Sequence, residues 1–459
     1  MAKLRLIYRC SDCGATHPKW SGKCLTCNAW NSLVEDVEDP NEHVVSLAAG
    51  MALVPAGEPT RISDVDATIG APSPTNIDEL DRVLGGGVVP GSVTLLGGEP
   101  GIGKSTLLLQ LLAAARGVTL YVTAEESAQQ VRLRASRLHA LSPDLWLLPE
   151  MSLPNIISTI DSIAPTLIVI DSIQTVADPQ LGSTPGSVVQ VRGCAHRLVQ
   201  EAKRRNIPMV LVGHVTKEGG LAGPRVLEHV VDTVLSFEGD RHNALRLLRA
   251  TKHRFGPTSE LGLFEMTEAG LIGVPDASKL FLADRRTGVP GSVVVPTLEG
   301  QRPLLVELQA LTNATHGGTP ARRSVQGVDN ARLAMLLAVL ERRARIGMST
   351  HDVYASVVGG IKITEPGADL GLCLALVSAI TNTPLPADLV VVGEVGLAGE
   401  IRQVPHISQR LSEAERLGFT QAIVPSRTST GLTKLTCRSI STLNEALAHV
   451  GLINSDSHK

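Results

Sequence analysis

A glycine-rich loop constrains the fold of this 459-residue chain more than any other feature. Residues 98–105 read G-E-P-G-I-G-K-S, which matches the phosphate-binding pattern G-x-x-x-x-G-K-[ST]. The run Ser92–Leu96 before the loop is typical of a buried strand, and the leucine-rich segment Lys104–Ala115 after it is typical of a helix. Glycines let backbone N–H groups turn toward phosphates, and the start of a helix adds partial positive charge. The sequence therefore predicts an α/β fold that binds a nucleotide.

Individual residues of this loop have predicted roles. We expect the side chain of Lys104 to reach the β- and γ-phosphates of ATP, and the hydroxyl of Ser105 to bind Mg²⁺. Further ATP contacts are predicted for the rest of the loop, namely Gly98, Glu99, Pro100, Gly101, Ile102, Gly103 and Thr106. A fortuitous glycine loop is the alternative, but the strand before it and the helix after it are the context that the motif needs.

Three other strand-like runs end in polar side chains. Thr166–Asp171 (T-L-I-V-I-D) places a carboxylate at the end of a buried strand, where Asp171 would hold the magnesium shell. Thr119–Glu126 (T-L-Y-V-T-A-E-E) ends in two carboxylates, of which Glu125 is the candidate that polarises the attacking water; a solvated pair is the alternative. Met209–His214 (M-V-L-V-G-H) places His214 where it can sense the γ-phosphate, and a surface histidine is the alternative.

A basic motif follows at residues 252–258, which read K-H-R-F-G-P-T. Lys252 and Arg254 are two residues apart on a predicted strand, so both side chains point to the same face. Ahead of a turn, they can reach ATP that is held by a neighbouring subunit, as an arginine finger does. A basic hairpin tip on the surface is the alternative. Together with the phosphate loop, these residues predict a P-loop ATPase.

The N-terminal residues contain two C-x-x-C pairs with ten residues between them. The four cysteines are Cys10, Cys13, Cys24 and Cys27. Two such turns form a closed tetrahedral Zn²⁺ site, which leaves no coordination position for hydrolytic chemistry. The odd total of 7 cysteines, with no export signal, argues against a disulfide framework. Buried or redox-active cysteines are the alternative to a zinc site.

Composition excludes several classes of protein. The net charge is −3, from 42 Lys and Arg against 45 Asp and Glu, so any nucleic-acid site must be a local patch. Aromatic residues make up 2% of the chain, too few for a base-stacking platform. There is no signal peptide and no run of about 18 apolar residues. We therefore expect a soluble, cytoplasmic protein with no membrane partner.

Composition also suggests how the chain is divided. Residues 31–45 are acidic, and residues 46–74 are rich in Ala, Gly and Pro, which is typical of a linker. From about residue 75, short β-branched runs alternate with amphipathic segments such as Val189–Arg205, which predicts a mostly parallel sheet covered on both faces. A second break at Leu311–Gly327 precedes a predicted helix, Asp329–Ile346, with Asp329 as its cap.

Taken together, these motifs resemble the bacterial RadA (Sms) family of DNA repair and recombination proteins, from the cysteine pairs to about residue 445. The resemblance implies a core similar to RecA and to DnaB-type helicases, with ATP, Mg²⁺ and Zn²⁺ as cofactors. It makes Glu125 the catalytic carboxylate, Asp171 the Walker B residue and His214 the sensor. The family signature is usually written K-N-R-F-G; His253 replaces the Asn here, and both cations remain.

The C-terminal part resembles the Lon protease domain, through Gly359–Ser378 and Val392–Gly399. Lon-type cleavage needs a serine activated by a lysine. This chain has Gly367 at the serine position, and Ser408 in the segment where the lysine should stand. The resemblance thus implies a fold retained as a scaffold or DNA-binding platform, without proteolysis.

We accordingly predict a zinc finger at 1–34, a linker at 35–74, a RecA-like ATPase domain at 75–270 and an inactive Lon-protease-like α/β domain at 271–459. The resemblance further implies a ring, of six subunits, with ATP between neighbours. Its partners would be single-stranded and branched DNA and a RecA-type recombinase. Gln174–Arg192 and Lys217–Arg225 are candidate loops for the central hole. The candidate DNA-contacting residues are Lys217, Arg225, Arg285, Arg286, Arg322, Arg323 and Lys362.

The resulting hypothesis is a DNA-dependent ATPase that drives branch migration or strand exchange during DNA repair, recombination and the response to DNA damage. Two alternatives remain open. One is a nucleotide-gated DNA-binding scaffold without motor activity, and the other is an ATP-dependent Lon-type protease.

Overall fold

The computed structural model describes residues 5–10, 16–26, 30, 32–38, 61–64, 70–214, 227–239, 244–315, 321–428 and 433–454. Cys13, Cys27, Lys217 and Arg225 lie outside the described residues, as does the side chain of His214. The chain divides into two compact units. The first contains Met1–Thr258 and Phe264–Gly273, and the second contains Ser259–Leu263 and Val274–Lys459.

The N-terminal segment forms a small antiparallel sheet. Its strands are β1 (Arg5–Cys10), β2 (Thr16–His17) and β3 (Leu33–Glu38), and β1 lies in the centre. β1 pairs with β3 along its whole length, which places Arg5 opposite Glu38. The strand therefore continues to Glu38, inside the range that the sequence predicted as linker, and a 3-10 turn follows at Ile62–Asp64.

The rest of the first unit is built on a nine-stranded sheet. Its strands are β4 (Val93–Gly98), β5 (Thr119–Thr123), β6 (Leu145–Pro149), β7 (Leu167–Asp171), β8 (Met209–His214), β9 (Thr233–Glu238), β10 (Leu245–His253), β11 (Leu261–Thr267) and β12 (Gly270–Gly273). Their order is β12-β11-β10-β9-β4-β8-β7-β5-β6. Strands from β9 to β6 in this order run parallel, whereas β10 is antiparallel to β9. The predicted mostly parallel sheet is confirmed.

Both faces of this sheet are buried, as the uninterrupted apolar runs predict. Successive side chains of β4 point to opposite faces, and Leu95 belongs to the apolar cluster on one face while Leu96 belongs to the cluster on the other. The helices of the unit are α1 (Asp78–Val83), α2 (Lys104–Ala114), α3 (Ala128–Arg137), α4 (Leu153–Ile163) and α5 (Val188–Arg205). Because β4, β5, β7 and β8 are parallel, their carboxyl ends meet at one edge of the sheet.

The second unit has a seven-stranded mixed sheet and a two-stranded one. The strands are β13 (Ser292–Glu299), β14 (Arg302–Ala314), β15 (Arg323–Gln326), β16 (His351–Val357), β17 (Leu389–Val391), β18 (Glu394–Val395), β19 (Ile401–Arg402), β20 (Gln421–Pro425) and β21 (Thr436–Ile440). The larger sheet has the order β15-β16-β14-β13-β17-β20-β21. The helices are α6 (Ala277–Leu282), α7 (Asn330–Arg343), α8 (Asp369–Thr381), α9 (Ile407–Arg416) and α10 (Leu443–His449).

The predicted helix of this unit is found as α7, which ends at Arg343, short of the predicted Ile346. Asp329 caps α7 as predicted, because its carboxylate accepts the backbone N–H of Arg332 at 2.8 Å. The break predicted at Leu311–Gly327 is partly strand, since β14 continues to Ala314 and β15 begins at Arg323. Throughout the ranges described above, no helix has the length and apolar character needed to cross a membrane.

Candidate functional site

The phosphate loop connects β4 to α2 and depends on its glycines. Gly101 and Gly103 have φ values of 78° and 113°, which favour glycine. A Cβ on Gly98 would lie 2.6 Å from the carbonyl oxygen of Phe237, so no larger residue fits beside β9. The loop ends at the first turn of α2, where free backbone N–H groups favour an anion. The local backbone is therefore suited to a phosphate.

Lys104 lies at the base of this loop and is 5% exposed. Its Nζ donates hydrogen bonds to the carbonyl oxygens of Gly98 at 2.9 Å and Glu99 at 3.0 Å. Burial lowers the pKa of the Lys104 ammonium, while the carboxylates of Asp171 and Glu125 act in the opposite direction. Phosphate oxygens are stronger acceptors for an ammonium than these neutral carbonyls are. The side chain is thus placed to change partners when a nucleotide binds.

Asp171 ends β7 and joins two hydroxyl groups. Its Oδ2 accepts hydrogen bonds from Ser105 Oγ at 2.6 Å and from the Tyr121 hydroxyl at 2.7 Å. Burial and the adjacent carboxylate raise the pKa of Tyr121, so its phenol stays protonated and donates. Ser105 and Asp171 offer adjacent oxygen atoms, the ligand type that Mg²⁺ prefers. The residues present therefore fit a magnesium ion.

Two adjacent carboxylates follow β5 and have different surroundings. Glu125 accepts a hydrogen bond from Ser172 Oγ at 2.5 Å, and Ser172 follows Asp171 directly. Glu126 forms an ion pair with Arg134 of α3, with 2.6 Å between Arg134 Nη2 and Glu126 Oε1. Glu125 is exposed, so the alternative of a solvated carboxylate stays open for it. Glu125 lines the same cavity as the loop and Asp171, whereas Glu126 is paired with Arg134.

A cavity of 350 Å³ joins these groups, within the range of about 300–1,000 Å³ that ligand pockets span. Its lining includes Lys104, Ser105, Glu125 and Asp171 together with the predicted loop residues Pro100, Gly101, Gly103 and Thr106, so eight of the predicted site residues surround one space. The backbone of His214 lies beside Gly98 in the β4–β8 register. Tyr121 and Ser172 were not predicted; a lone tyrosine in the aliphatic run T-L-Y-V-T is the only signal that the sequence contains for either.

Lys252 and Arg254 lie at the opposite end of the sheet from this cavity. β10 places His253 beside Thr233 of β9, and Thr233 in turn lies beside Thr94, near the start of β4. Gly98, at the other end of β4, is four residues farther, or about 13 Å along the strand at about 3.3 Å per residue. The two cations are therefore remote from the nucleotide cavity of their own chain.

The two cations contact the turn that precedes β9. Lys252 Nζ donates to the carbonyl oxygens of Glu228 at 2.6 Å and Val231 at 2.8 Å. Arg254 Nη1 lies 3.2 Å from Asp232 Oδ1. Burial and the neighbouring Arg254 lower the pKa of the Lys252 ammonium. Both side chains reach the same short segment, although β10 ends at His253 and Arg254 lies in the bend that follows, not on the predicted strand.

The second unit has a different arrangement at the position of the Lon-type serine. Gly367 lies in the 3-10 turn Pro366–Ala368, and a Cβ there would lie 3.4 Å from Arg410 Nη1. Arg410 is fully buried; it donates to both carboxylate oxygens of Glu365 and to Pro296 O at 2.7 Å. Burial alone would raise the pKa of Glu365, but the bonds from Arg410 lower it overall.

The structure adds a neighbour of Gly367 that the sequence did not predict. Ser408 is exposed, and the side chain that faces Gly367 is Arg410. The reason is helical periodicity, because α9 buries Arg410, Leu411 and Ala414 and leaves Ser408 on its outer side. A guanidinium–carboxylate pair, Arg410 with Glu365, therefore lies beside Gly367.

The described candidates for DNA contact differ in accessibility. Arg286 and Lys362 are exposed. Arg285 donates to the carbonyl oxygen of Ala387 at 2.7 Å and lies over the ring of Phe419, and burial lowers its pKa. Arg323 donates to the carbonyl oxygens of His351 and Met348. Arg322 is exposed as well, so Arg286, Arg322 and Lys362 are the more accessible of these cations.

One thiol from each C-x-x-C pair is described. Cys10 and Cys24 are 2% and 0% exposed and belong to one small cluster with Leu33. His17 Nε2 lies 3.3 Å from Cys24 Sγ, a neighbour that the sequence did not predict. The described residues contain no group of three or more possible ligands, and the other two cysteines lie outside them. Cys10 and Cys24 are thus buried in one cluster, and the four-thiolate zinc site stays a prediction.

Comparison with protein families assigns three segments of the chain. Residues 8–35 match the rubredoxin metal binding domain, residues 58–220 match an AAA domain, and residues 345–449 match the Lon protease (S16) C-terminal proteolytic domain. These matches agree with the predicted fold class, which is a metal-binding ribbon, a RecA-like P-loop core and a Lon-like α/β domain.

Three relatives share nearly the whole chain. The DNA repair protein RadA of Pseudomonas aeruginosa is 52% identical, over 93% of this chain and 94% of the relative. The protein of that name from Bacillus subtilis is 46% identical, over 95% of each chain. The one from Halalkalibacterium halodurans is 45% identical, over 97% of this chain and 99% of the relative. The similarity therefore extends across both units.

Proposed function

The chain belongs to the RadA family of DNA repair proteins, and we propose that it hydrolyses ATP at the seams of a ring that moves along single-stranded DNA. Its first unit is a RecA-like ATPase core. The proposed outcome is branch migration or strand exchange of recombination intermediates, together with a RecA-type recombinase. The proposal places the protein in the cytoplasm, where it would act after DNA damage.

The proposed binding step uses the phosphate loop. Lys104 leaves the carbonyl oxygens of Gly98 and Glu99 and binds the β- and γ-phosphates. Ser105 and Asp171 would hold Mg²⁺, and the Tyr121 hydroxyl keeps the Asp171 carboxylate oriented. When bound, Mg²⁺ neutralises charge that develops on the phosphate oxygens. The loop backbone and helix α2 supply the remaining contacts to the phosphates.

In the proposed hydrolysis step, Glu125 polarises the water that attacks the γ-phosphate. Its carboxylate is oriented by Ser172, and a carboxylate at this position can polarise a water in line with the γ-phosphate. His214, at the end of β8 beside Gly98, would report the state of the γ-phosphate to the segment that follows it. Lys217 and Arg225 in that segment, with Arg286 and Lys362 of the second unit, are the proposed DNA contacts.

The observation that supports a ring-shaped assembly is the position of Lys252 and Arg254. They lie at the amino end of β4, whereas the phosphate loop is at the carboxyl end of the same strand. Cations that stabilise phosphoryl transfer must contact the phosphates, and these two cannot reach their own. A head-to-tail contact that closes into a ring, of six subunits in this proposal, brings them to the ATP of a neighbour.

The N-terminal sheet is proposed to hold Zn²⁺ through Cys10, Cys13, Cys24 and Cys27. Thiolates are the preferred ligands of structural zinc, and a closed four-thiolate site stabilises a fold and does not catalyse a reaction. The proposed role of the zinc is to stabilise the β1–β3 sheet, whose apolar cluster consists of Cys10, Cys24 and Leu33 with Tyr8 packed against it.

ATP hydrolysis with and without single-stranded DNA tests the proposal. We expect the wild-type chain to turn over faster when DNA is added, and Lys104→Ala to lose this turnover. A Lys104→Ala protein that still hydrolyses ATP faster with DNA contradicts the site. A wild-type chain that stays monomeric with both nucleotide and DNA, and shows no stimulation, contradicts the ring.

A further inference from the structure

One short turn holds both cations that are proposed to act across the seam. Residues 227–232, the anchor turn, directly precede β9. Two of its carbonyl oxygens accept hydrogen bonds from Lys252. Its last residue, Asp232, contacts Arg254 through both its backbone and its side chain. The backbone N–H of Arg254 donates to Asp232 O at 3.2 Å, and Arg254 Nη1 lies 3.2 Å from Asp232 Oδ1. The position of Arg254 is thus defined by Asp232.

Asp232 itself is held rigidly. It is 3% exposed, and its Oδ2 accepts the backbone N–H of Val93, the first residue of β4, at 3.1 Å. Its own N–H donates to Val93 O at 3.0 Å. Lys203 Nζ approaches Oδ1 to 3.9 Å from α5. The carboxylate therefore has a fixed place at the start of the strand that carries the phosphate loop.

Arg254, in contrast, is not fixed by burial. Its side chain is 51% exposed, against 4% for that of Asp232. An exposed arginine has many rotamers, and holding it in one geometry costs conformational entropy. An exposed ion pair contributes little to stability, but a buried carboxylate at one end of it can still limit where the guanidinium points. The asymmetry favours orientation of Arg254 as the function of this pair.

We propose that Asp232 is a positioning residue for hydrolysis at the neighbouring subunit's site. Its carboxylate orients Arg254, and the carbonyl oxygens of Glu228 and Val231 orient Lys252. Both cations therefore already point toward the phosphates that the neighbouring subunit binds. The inference rests on the proposed function, since it requires that these cations act across a seam.

Asp232→Asn tests this role without removing the backbone contact. The amide oxygen of asparagine can still accept the N–H of Val93, but the charge that attracts Arg254 is lost. We expect DNA-stimulated turnover to fall by about tenfold, because misplacement of a catalytic group by about 1 Å can cost up to about a hundredfold. Binding of ATP to the chain's own phosphate loop should not change. Asp161→Asn is the control, since Asp161 on α4 is also paired with an arginine, Arg205 of α5, at 2.6 Å.

A mixing experiment separates positioning across the seam from damage to the fold. Asp232→Asn has an intact phosphate loop, and Lys104→Ala has an intact anchor turn and intact cations. We expect the two chains, co-expressed with different tags and copurified, to recover about a quarter of wild-type turnover if subunits assort at random around a head-to-tail ring. Arg254→Ala mixed with Lys104→Ala is the reference, because it tests the seam alone.

The outcomes are distinct. Recovery in both mixtures supports the role of Asp232. Recovery with Arg254→Ala but not with Asp232→Asn shows that Asp232 acts within its own chain, and wild-type turnover of Asp232→Asn alone shows that Arg254 needs no anchor; either result overturns the inference. If the Arg254→Ala mixture does not recover, the seam itself is wrong, and the inference fails with the proposed function.

Discussion

A glycine-containing turn leads into a buried helix in both units, and the side chains around the two turns have opposite chemistry. Before α2, the turn presents Lys104 and Ser105 to an open cavity beside the carboxylates of Glu125 and Asp171. Before α8, the turn at Gly367 contacts a buried ion pair, Glu365 with Arg410. The cavity at the first turn can accept a ligand, whereas the space beside the second turn is occupied by the side chains of Glu365 and Arg410.

The contrast separates the residues that stabilise a fold from the residues that make it reactive. The two sheets and their helices are held by apolar burial, which tolerates many sequences of similar size. Reactivity depends on a few polar side chains at strand ends, and exchanging two or three of them leaves the fold in place. The following predictions test whether the two turns are as different as their contacts indicate, in order of decreasing expected effect.

Removing the Arg410 guanidinium, which contacts the second turn from α9, should have the largest effect on stability. We expect Arg410→Met to lower the free energy of unfolding of the second unit by about 3–5 kcal/mol, because Glu365 is left with an unpaired, mostly buried charge. Thermal and urea unfolding measure this. The double variant Glu365→Gln with Arg410→Met should recover part of the loss, and a single variant as stable as the wild type would contradict the assignment.

The same pair gives a pH dependence of known sign. The folded-state pKa of Glu365 is lowered, so the stability that it contributes is present above its unfolded pKa and is lost as the pH falls through the folded-state value. Unfolding measured across the acid range should show this loss in the wild type and a flatter profile in the double variant. Proteolysis of casein should be absent in both proteins.

The Glu125 carboxylate, which follows β5 beside the first turn, should affect activity and leave stability nearly unchanged. We expect Glu125→Gln to reduce DNA-stimulated ATP turnover by about 10²–10³ while ATP still binds, because a group that acts on the transition state is lost. Glu126→Gln is the matched control, since Glu126 is paired with Arg134. Equal losses in the two variants would show that the adjacent carboxylates are not distinguished by their surroundings.

Removing the Tyr121 hydroxyl should weaken the binding of Mg²⁺. We expect Tyr121→Phe to raise the Mg²⁺ concentration for half-maximal turnover by about tenfold, because a hydrogen bond to a charged group contributes about 1.5 kcal/mol or more. A titration with MgCl₂ at saturating ATP measures it. Tyr354→Phe, on β16 of the second unit, is the control, and an unchanged Mg²⁺ dependence of Tyr121→Phe would remove the tyrosine from the site.

The smallest effect is expected at a helix cap of the second unit. Asp329→Ala should lower stability by about 1 kcal/mol, since the N–H of Arg332 loses its acceptor. We expect ATP turnover to stay at the wild-type level, measured beside a thermal unfolding curve. A large loss of turnover from this variant would mean that the second unit contributes more to hydrolysis than its contacts indicate.

Local patterns explain why much of the site was predictable. The phosphate loop, the strand that ends in Asp171 and the cap at Asp329 each depend on residues close together in sequence. Parallel strand order then brings their ends to one edge. In contrast, Tyr121 reaches Asp171 across 50 positions, and Arg410 reaches Pro296 across 114. No local pattern contains such a pair.

By itself, the sequence determined the kind of fold, the nucleotide loop and the loss of the Lon-type serine, because each follows from residue type and short-range spacing. Tertiary structure alone decided that Arg410 and not Ser408 faces Gly367, that Tyr121 and Ser172 join the site, and that Lys252 and Arg254 lie at the far end of β4. These facts depend on which distant segments pack together, and packing is decided by the burial of whole helices and sheets.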